Sequence, residues 1–163
     1  MKFVLLFFPV CPYILDVVFI VENSFRNSQF DWTRILQFIT LITDRLPFNS
    51  FGTLSRVGVI THGESPYINM YLDTNLNNTK TEIQAAINSV PHQSGLNGLH
   101  QSLTKASVNV FNAQRGDRAA FTNVAIVIMR TVYDDKDRNP ISFLNKVDQL
   151  HKDAELVVAI GIG

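Results

Sequence analysis

Short apolar runs rich in β-branched residues recur along the chain and predict its strands. Residues 16–21 (Asp-Val-Val-Phe-Ile-Val) form the first run, and 56–61, 124–129 and 156–161 form the others. Runs of this kind are typical of strands that are buried on both faces, as in a parallel sheet. Residues 67–72 alternate more between apolar and polar side chains, which predicts a strand at an edge of the sheet.

Apolar positions three and four residues apart predict helices between these strands. The first helix is marked by a set of such positions: Trp32, Ile35, Leu36, Ile39 and Ile42. It ends near Pro47, because proline cannot continue a helix. Residues 79–82 (Thr-Lys-Thr-Glu) form a capping-box pattern, so a second helix runs from there to about Val90.

Two further helices follow the same spacing rule. The third follows the loop around Gly95 and is marked by four apolar residues: Leu99, Leu103, Ala106 and Val110. The fourth begins at residues 139–140 (Asn-Pro), where an N-cap precedes a proline at the first helical position. Its apolar positions are Phe143, Leu144, Val147 and Leu150.

Strands that alternate with helices predict a doubly wound α/β domain, with a mostly parallel sheet, helices on both faces and one antiparallel edge strand. The expected core includes apolar residues from most of these elements: Val18, Ile20, Trp32, Ile35, Val59, Val127 and Val158. Ligands of such folds bind beyond the carboxyl ends of the strands, where the strand order reverses. The loops after Val21, around Gly95 and after Met129 are therefore the candidate site.

Composition narrows the function classes. With 163 residues, of which 46% are hydrophobic and 17% charged, the chain has room for one globular domain. Its 14 basic residues balance 14 acidic ones, so no net field favours nucleic acid. Cys11 is the single cysteine and excludes a disulfide within the chain.

Residues 1–11 have two interpretations. A basic residue followed by an apolar block has the shape of a secretory signal peptide. However, the block is short and no clear small-residue cleavage site follows, so the alternative is a misplaced start fused to the first strand. Pro9, Pro12 and Asp16 interrupt the block, and we expect no membrane span. The domain itself is assigned to 12–163.

Catalytic and nucleotide-binding motifs are missing from the sequence. There is no GxxxxGK(S/T) phosphate loop, no GxGxxG after the first strand and no GxSxG nucleophile elbow. The four histidines, His62, His92, His100 and His151, lack zinc spacing and cysteine partners, and each is interpreted as a surface or loop residue. We therefore predict neither an enzymatic activity nor a cofactor.

The order of several short motifs resembles the von Willebrand factor type A domain, which is also the fold of integrin inserted domains. Residues 16–26 resemble its opening strand and DxSxS loop, 30–38 its first helix, 56–60 its RVGVV strand and 82–87 its second helix. Residues 116–118 and the strand after them fit the stretch that leads to the family's TDG turn, and 158–163 fit its closing IGVG. The resemblance covers Asp16 to Gly163 and implies the same doubly wound α/β fold.

The family carries a metal-ion-dependent adhesion site (MIDAS) on the loops after these strands. Its usual ligands are Asp and two Ser on the first loop, Thr on the second and Asp on the third, which suit Mg²⁺. By resemblance, the corresponding positions of this chain are Glu22, Ser24, Arg26, Asn97 and Arg130. Only Ser24 keeps the family's residue, so the site is degenerate, with Glu22, Ser24 and Asn97 as its weak candidate ligands.

Two arginines at ligand positions oppose a cation. At roughly 4–5 Å and an effective dielectric of about 20, repulsion of a divalent ion by one guanidinium costs several kcal/mol. We therefore expect no bound metal and no magnesium dependence. Two arrangements stay open: Arg130 replaces the metal and pairs with the Glu22 carboxylate, or the site has decayed and its residues are solvated.

The resemblance implies a secreted, non-enzymatic protein-binding or adhesion module of an extracellular matrix protein, as in matrilins, type VI-like collagens and byssal proteins. A structural spacer of a multidomain, collagen-like matrix protein and an intracellular scaffold of the same fold are the alternatives. Expected partners are extracellular proteins such as collagen, and neither nucleic acid nor a membrane. The sequon at 77–79 makes Asn77 a candidate glycosylation site, which gives modest support for secretion.

The resemblance also implies that the chain is truncated or a fragment of a larger multidomain protein. Family members continue past the IGVG motif with a further strand and a terminal helix. Cys11 lies where members often carry a cysteine that pairs beyond the domain's end. Uncovering a few hundred Å² of apolar surface forgoes roughly 5–10 kcal/mol at about 25 cal/mol per Å², so we expect the isolated chain to be marginally stable.

Overall fold

The computed structural model describes residues 11–24, 27–49, 51–63, 65–93, 95, 98–129 and 140–162. Its strands are β1 (Leu15–Glu22), β2 (Arg56–His62), β3 (Pro66–Met70), β4 (Thr122–Met129) and β5 (Leu156–Gly161). Its helices are α1 (Gln29–Arg45), α2 (Lys80–Asn88), α3 (Leu99–Lys105) and α4 (Pro140–Asp153). Short 3₁₀ turns span Leu72–Asn75 and Ala113–Arg115. No helix of the described residues is long and apolar enough to cross a bilayer.

The strands form one five-stranded sheet in the order β3-β2-β1-β4-β5. β1 pairs in parallel with both β2 and β4, β4 pairs in parallel with β5, and β3 is the antiparallel edge strand beside β2. The predicted fold class is therefore confirmed. The direction of winding reverses between β1 and β4, which places the loops after these two strands at the switch point where such folds bind ligands.

Helices cover both faces of the sheet because side chains of a strand alternate between its faces. Val17, Phe19 and Val21 of β1 pack into a cluster with α1 and α2, whereas Val18 and Ile20 pack into a second cluster with α3 and α4. All five are at most 2% exposed, so β1 is buried on both faces. The apolar run at 16–21 is explained by this double burial.

The expected core is confirmed except at one position. Val18, Ile20, Trp32, Ile35, Val59 and Val127 are all buried. Val158 is only partly buried, because β5 is an edge strand of the described sheet, and the first residue of that strand, Leu156, is 51% exposed.

Two local predictions also change. The third helix is not α-helical throughout: α3 ends at Lys105 and continues as a π-helical turn over Ala106–Val110. His62 is not a surface or loop residue, since it is the last residue of β2 and is fully buried. The sequence predicted a strand to 61, and the extension by one residue brings this imidazole into the interior at the carboxyl edge of the sheet.

An ion pair closes the opposite, amino-terminal edge of the sheet. Arg118, in the turn before β4, donates from Nε to Asp16 Oδ2 (3.1 Å) and from Nη2 to Asp16 Oδ1. It also donates from Nη1 to the carbonyl oxygen of Gly52 (3.1 Å), to which Arg56 donates as well. The Asp16 carboxylate is fully buried, and two parallel bonds from one guanidinium are the strongest pairing available to it.

Candidate functional site

Glu22 and Ser24 come together at the carboxyl end of β1. Glu22 is the last residue of the strand, opposite His62 of β2, and Ser24 lies two residues further on. The Ser24 hydroxyl donates to Glu22 Oε1 at 2.7 Å, and both residues are fully buried. The first two predicted site residues are therefore adjacent, and a hydroxyl of the same loop satisfies one oxygen of the carboxylate.

The rest of this loop is held by its own backbone and by one amide side chain. Asn27 Nδ2 donates to the carbonyl oxygen of Glu22 at 2.7 Å, and the Asn27 backbone N–H donates to the carbonyl of Ser24 at 3.1 Å. Ser28 then caps α1, because its hydroxyl accepts from the Asp31 backbone N–H at 3.1 Å. The helix start and the strand end thus fix both ends of the loop.

Asn23 links this loop to two others. Its backbone N–H donates to the carbonyl of His62 (2.7 Å), and its Nδ2 donates to the carbonyl of Pro91 (2.9 Å). Its Oδ1 accepts from the backbone N–H of Gln93 at 2.8 Å. One buried amide therefore ties the end of β1 to the end of β2 and to the segment that leads into α3.

Gly63 permits the close approach of these loops. A Cβ at this position would lie 2.8 Å from the carbonyl oxygen of Asn23 and 3.9 Å from the Cα of Gly95. Any larger residue would force the loop after β2 away from the loop after β1. Gly95 thus lies close to the loops after β1 and β2, in the region that the sequence analysis expected to form the site.

Trp32 and His92 support the same region from α1. The Trp32 indole N–H donates to the carbonyl of Val90 at 3.0 Å, and its ring stacks on His92 with centroids 5.8 Å apart. The segment from 90 to 93 is consequently anchored to α1 by the indole and to β1 by Asn23. This anchoring holds residues 90–93, which precede the loop around Gly95 in the sequence.

Three of the predicted site residues, Arg26, Asn97 and Arg130, lie outside the described residues. The convergence of the complete set and the Glu22–Arg130 pair stay predictions. Asn77, the candidate glycosylation site, is exposed and adopts a left-handed backbone (φ 64°) in the turn before α2. The hydroxyl of Thr79 in the same sequon accepts from the Glu82 N–H as the N-cap of α2, as the capping-box pattern predicted.

The described part of this site offers few oxygen donors to Mg²⁺. Octahedral magnesium sites use hard oxygen ligands, usually one or two carboxylates together with several water molecules. The described part of the site contributes one carboxylate, Glu22, and one hydroxyl, Ser24, which donates to that carboxylate. No group of three or more His, Cys, Asp or Glu side chains in the described residues could hold a metal ion. By the resemblance described above, the position of the family's second carboxylate corresponds to Arg130.

The sequence analysis did not identify Asn23, Asn27 or Gly63. Asn23 and Asn27 are buried and organise the loop through backbone contacts, and Gly63 permits the loop packing. Two asparagines close to Ser24, in the loop after a buried strand, were an available signal, because asparagine amides commonly bond to nearby backbone in loops.

Curated relatives and solved structures share this fold and parts of this sequence. The chain is 26% identical over 121 residues to vitrin of Bos taurus, covering 74% of this chain and 18% of vitrin. It is 26% identical over 126 residues to the collagen alpha-6(VI) chain of Mus musculus, covering 76% and 5%. The chain thus spans less than a fifth of the length of either relative.

Among solved structures, proximal thread matrix protein 1 from the mussel byssus superposes with a TM-score of 0.80 at 17% identity, over 94% of this chain and 39% of that chain. A structure of the same byssus protein with a zinc-occupied MIDAS motif is equally similar, with a TM-score of 0.80. At this identity the likeness establishes the fold. The family model of the von Willebrand factor type A domain matches residues 16–163, which is nearly the whole described sheet with its helices. This chain therefore belongs to the von Willebrand factor type A domain family.

Proposed function

We propose that this domain is a non-enzymatic protein-binding module of an extracellular matrix protein, and that it binds through the loops at the carboxyl edge of its sheet without a metal ion. The observation that carries the proposal is the Ser24–Glu22 hydrogen bond of 2.7 Å between two fully buried side chains. A hydroxyl and a carboxylate that would both face a metal in an intact MIDAS here bond to each other.

The matrix setting rests on the relatives. One is a collagen chain and another is a thread matrix protein of the byssus, and in each the similar region is only part of a longer chain. We therefore propose that this domain is part of a larger secreted matrix protein. The exposed position of Asn77 in a turn leaves room for a glycan, which accords with secretion.

Metal independence rests on charge. The byssus protein has a structure with a zinc-occupied MIDAS motif, so this fold accommodates a metal when the loops supply enough ligands. In this chain two of the matching positions carry Arg26 and Arg130. Each guanidinium would repel a divalent cation, and neither can supply a ligand oxygen.

Binding to immobilised type VI collagen microfibrils, followed by surface plasmon resonance, tests this proposal. We expect the same Kd within about twofold in magnesium chloride and in EDTA, because no metal takes part. Ser24→Ala should weaken binding, because the Glu22 carboxylate loses a hydrogen bond from the same loop. Gln114→Ala, an exposed change in the turn before β4, is the matched control and should leave the Kd unchanged.

Loss of binding in EDTA would overturn metal independence. If the domain binds neither type VI collagen nor a total matrix extract, a role as a structural spacer is favoured instead. A gain-of-function variant sharpens the charge argument: Arg26→Ser combined with Arg130→Asp should create magnesium binding measurable by calorimetry. Magnesium binding by the unaltered chain at micromolar concentrations would contradict the proposal directly.

A further inference from the structure

The Asn23 side chain connects the loop after β1 to the segment 90–93. Its Nδ2 donates to the Pro91 carbonyl oxygen at 2.9 Å, and its Oδ1 accepts from the Gln93 backbone N–H at 2.8 Å, 68 and 70 residues further along the chain. The residue is 1% exposed, so its amide has little access to water that could replace these partners. The two hydrogen bonds therefore fix both the distance and the orientation of the segment relative to the loop.

The backbone of Asn23 belongs to the loop proposed above as part of the binding site. It lies between Glu22 and Ser24, whose side chains bond to each other at 2.7 Å, and its N–H donates to the His62 carbonyl oxygen at 2.7 Å. A ligand that rearranges the Glu22–Ser24 contact would displace the backbone between these two residues. Because both polar atoms of the Asn23 amide are engaged, this displacement would move the segment 90–93 or break two hydrogen bonds.

The far side of this segment is held by a tryptophan of α1. Trp32 is the single tryptophan of the chain and is 1% exposed. Its indole N–H donates to the Val90 carbonyl oxygen at 3.0 Å, and its ring stacks on His92 with centroids 5.8 Å apart. The ring of Pro91 fixes φ within the segment and makes it stiffer. Contacts with Asn23 on one side and with Trp32 on the other therefore form a continuous path from the loop to α1.

We propose that Asn23 couples the loop after β1 to the segment 90–93, so that binding of a protein ligand at this loop and packing of the segment against Trp32 influence each other. This inference rests on the protein-binding function proposed above. Asn23 is the positioning residue in it, because it acts through the segment that it holds. Thermodynamic coupling is reciprocal, so a change at Trp32 should alter the affinity of the loop for its ligand.

Hydrogen exchange of the Gln93 amide, followed by NMR in the free chain, tests the coupling without a ligand. Asn23→Ala removes the acceptor of this N–H, and the exchange should become at least about tenfold faster. Ser24→Ala should also speed the exchange, whereas adding Ser24→Ala to Asn23→Ala should cause no further change, because the connecting amide is gone. Asn78→Ala is the matched control and should leave the rate unchanged, since the Asn78 amide bonds to the carbonyl of Thr74 in its own turn.

Binding to immobilised type VI collagen microfibrils, followed by surface plasmon resonance, tests the consequence for function. Asn23→Ala should raise the Kd at least about fivefold. Trp32→Phe keeps an aromatic ring but loses the N–H that bonds to Val90, and it should raise the Kd as well. The double variant should bind no more weakly than Asn23→Ala, because the path is already broken. Asn78→Ala should leave the Kd unchanged, and thermal melts verify that each variant is folded.

The possible outcomes separate this inference from the proposed function. If the natural chain binds and Asn23→Ala binds equally well, or if the effects of Asn23→Ala and Trp32→Phe on the Kd multiply, the inference is wrong. If the natural chain does not bind, the proposed function fails, and the exchange of the Gln93 amide still decides whether the loop and the segment are coupled. Equal acceleration by Ser24→Ala in the natural chain and in Asn23→Ala would overturn that coupling.

Discussion

The two ends of β1 each bury a carboxylate, and they satisfy it in opposite ways. Asp16, at the amino end, bonds to the guanidinium of Arg118, which lies 102 residues away in the sequence. Glu22, at the carboxyl end, accepts a hydrogen bond from Ser24, only two residues away. Both carboxylates are fully buried, so the cost of removing them from water is similar, and the partners described here differ in kind and in sequence distance.

The Asp16–Arg118 pair connects segments that are remote in the sequence, whereas the Glu22–Ser24 contact is local. The Asp16–Arg118 pair joins β1 to the turn before β4, and Arg118 and Arg56 both donate to the carbonyl of Gly52. Changing one member would disturb distant segments. The Glu22–Ser24 contact lies within one loop and its strand, so loss of this one hydrogen bond should disturb distant segments less.

At the amino end of β1, burial is the largest influence on the pKa values of Asp16 and Arg56. Desolvation raises the pKa of Asp16, and the hydrogen bond and positive charge of Arg118 only partly offset this rise. Burial likewise lowers the pKa of Arg56, and the neighbouring charge of Arg118 lowers it further. The Asp16–Arg118 pair therefore connects two specific segments. Removing either side chain of the pair would leave the other as a buried charge without its partner.

The largest effect is expected from removing the guanidinium at the amino end. Arg118→Leu should lower the free energy of unfolding by about 3–5 kcal/mol, because Asp16 would be left buried without its cation. Urea denaturation measures it. Arg115→Leu is the matched control: Arg115 is exposed and lies over the Tyr71 ring at 4.6 Å, and its loss should cost about 1 kcal/mol or less. Equal effects of the two substitutions would remove the distinction between the ends of β1.

A smaller effect is expected at the carboxyl end. Ser24→Ala should destabilise the domain by about 1–2 kcal/mol, because a buried carboxylate oxygen loses a hydrogen bond. Ser89→Ala is the control, since the exposed Ser89 hydroxyl bonds only to the carbonyl of Ala86 at the end of α2, and about 0.5 kcal/mol or less is expected. A loss at Ser24 as large as that at Arg118 would show that the local contact also holds the fold.

The smallest effect is a pH dependence of the Asp16 contribution. Its folded-state pKa is raised above the ordinary value of 3.8, so the protonated form is favoured by folding. The resulting stability is fully present below the ordinary pKa and is lost as the pH rises through the folded-state pKa. The Asp16→Asn side chain cannot titrate. The unfolding free energy of the natural chain minus that of Asp16→Asn should therefore be larger in acid than at neutral pH. A difference that grows with pH would contradict the raised pKa.

Local patterns in the sequence were sufficient for most of the architecture. β1 is buried on both faces, and Thr79 caps the start of α2, as predicted. Both predictions depend on only a few consecutive residues. The resemblance also identified Glu22 and Ser24 as neighbours at the carboxyl edge. The roles of Asn23 and Gly63 were missed, because their contacts are with segments remote in sequence.

The sequence by itself determined which segments become strands and helices, since hydrophobic periodicity records which side of each element is buried. Tertiary structure alone decided which segments meet. β1 lies beside β4, so the turn that carries Arg118 reaches Asp16. His62 is buried where β1 and β2 end together, and Val158 is only partly buried because β5 lies at an edge. Periodicity is a property of a few consecutive residues, whereas these contacts depend on strand order, which no short segment encodes.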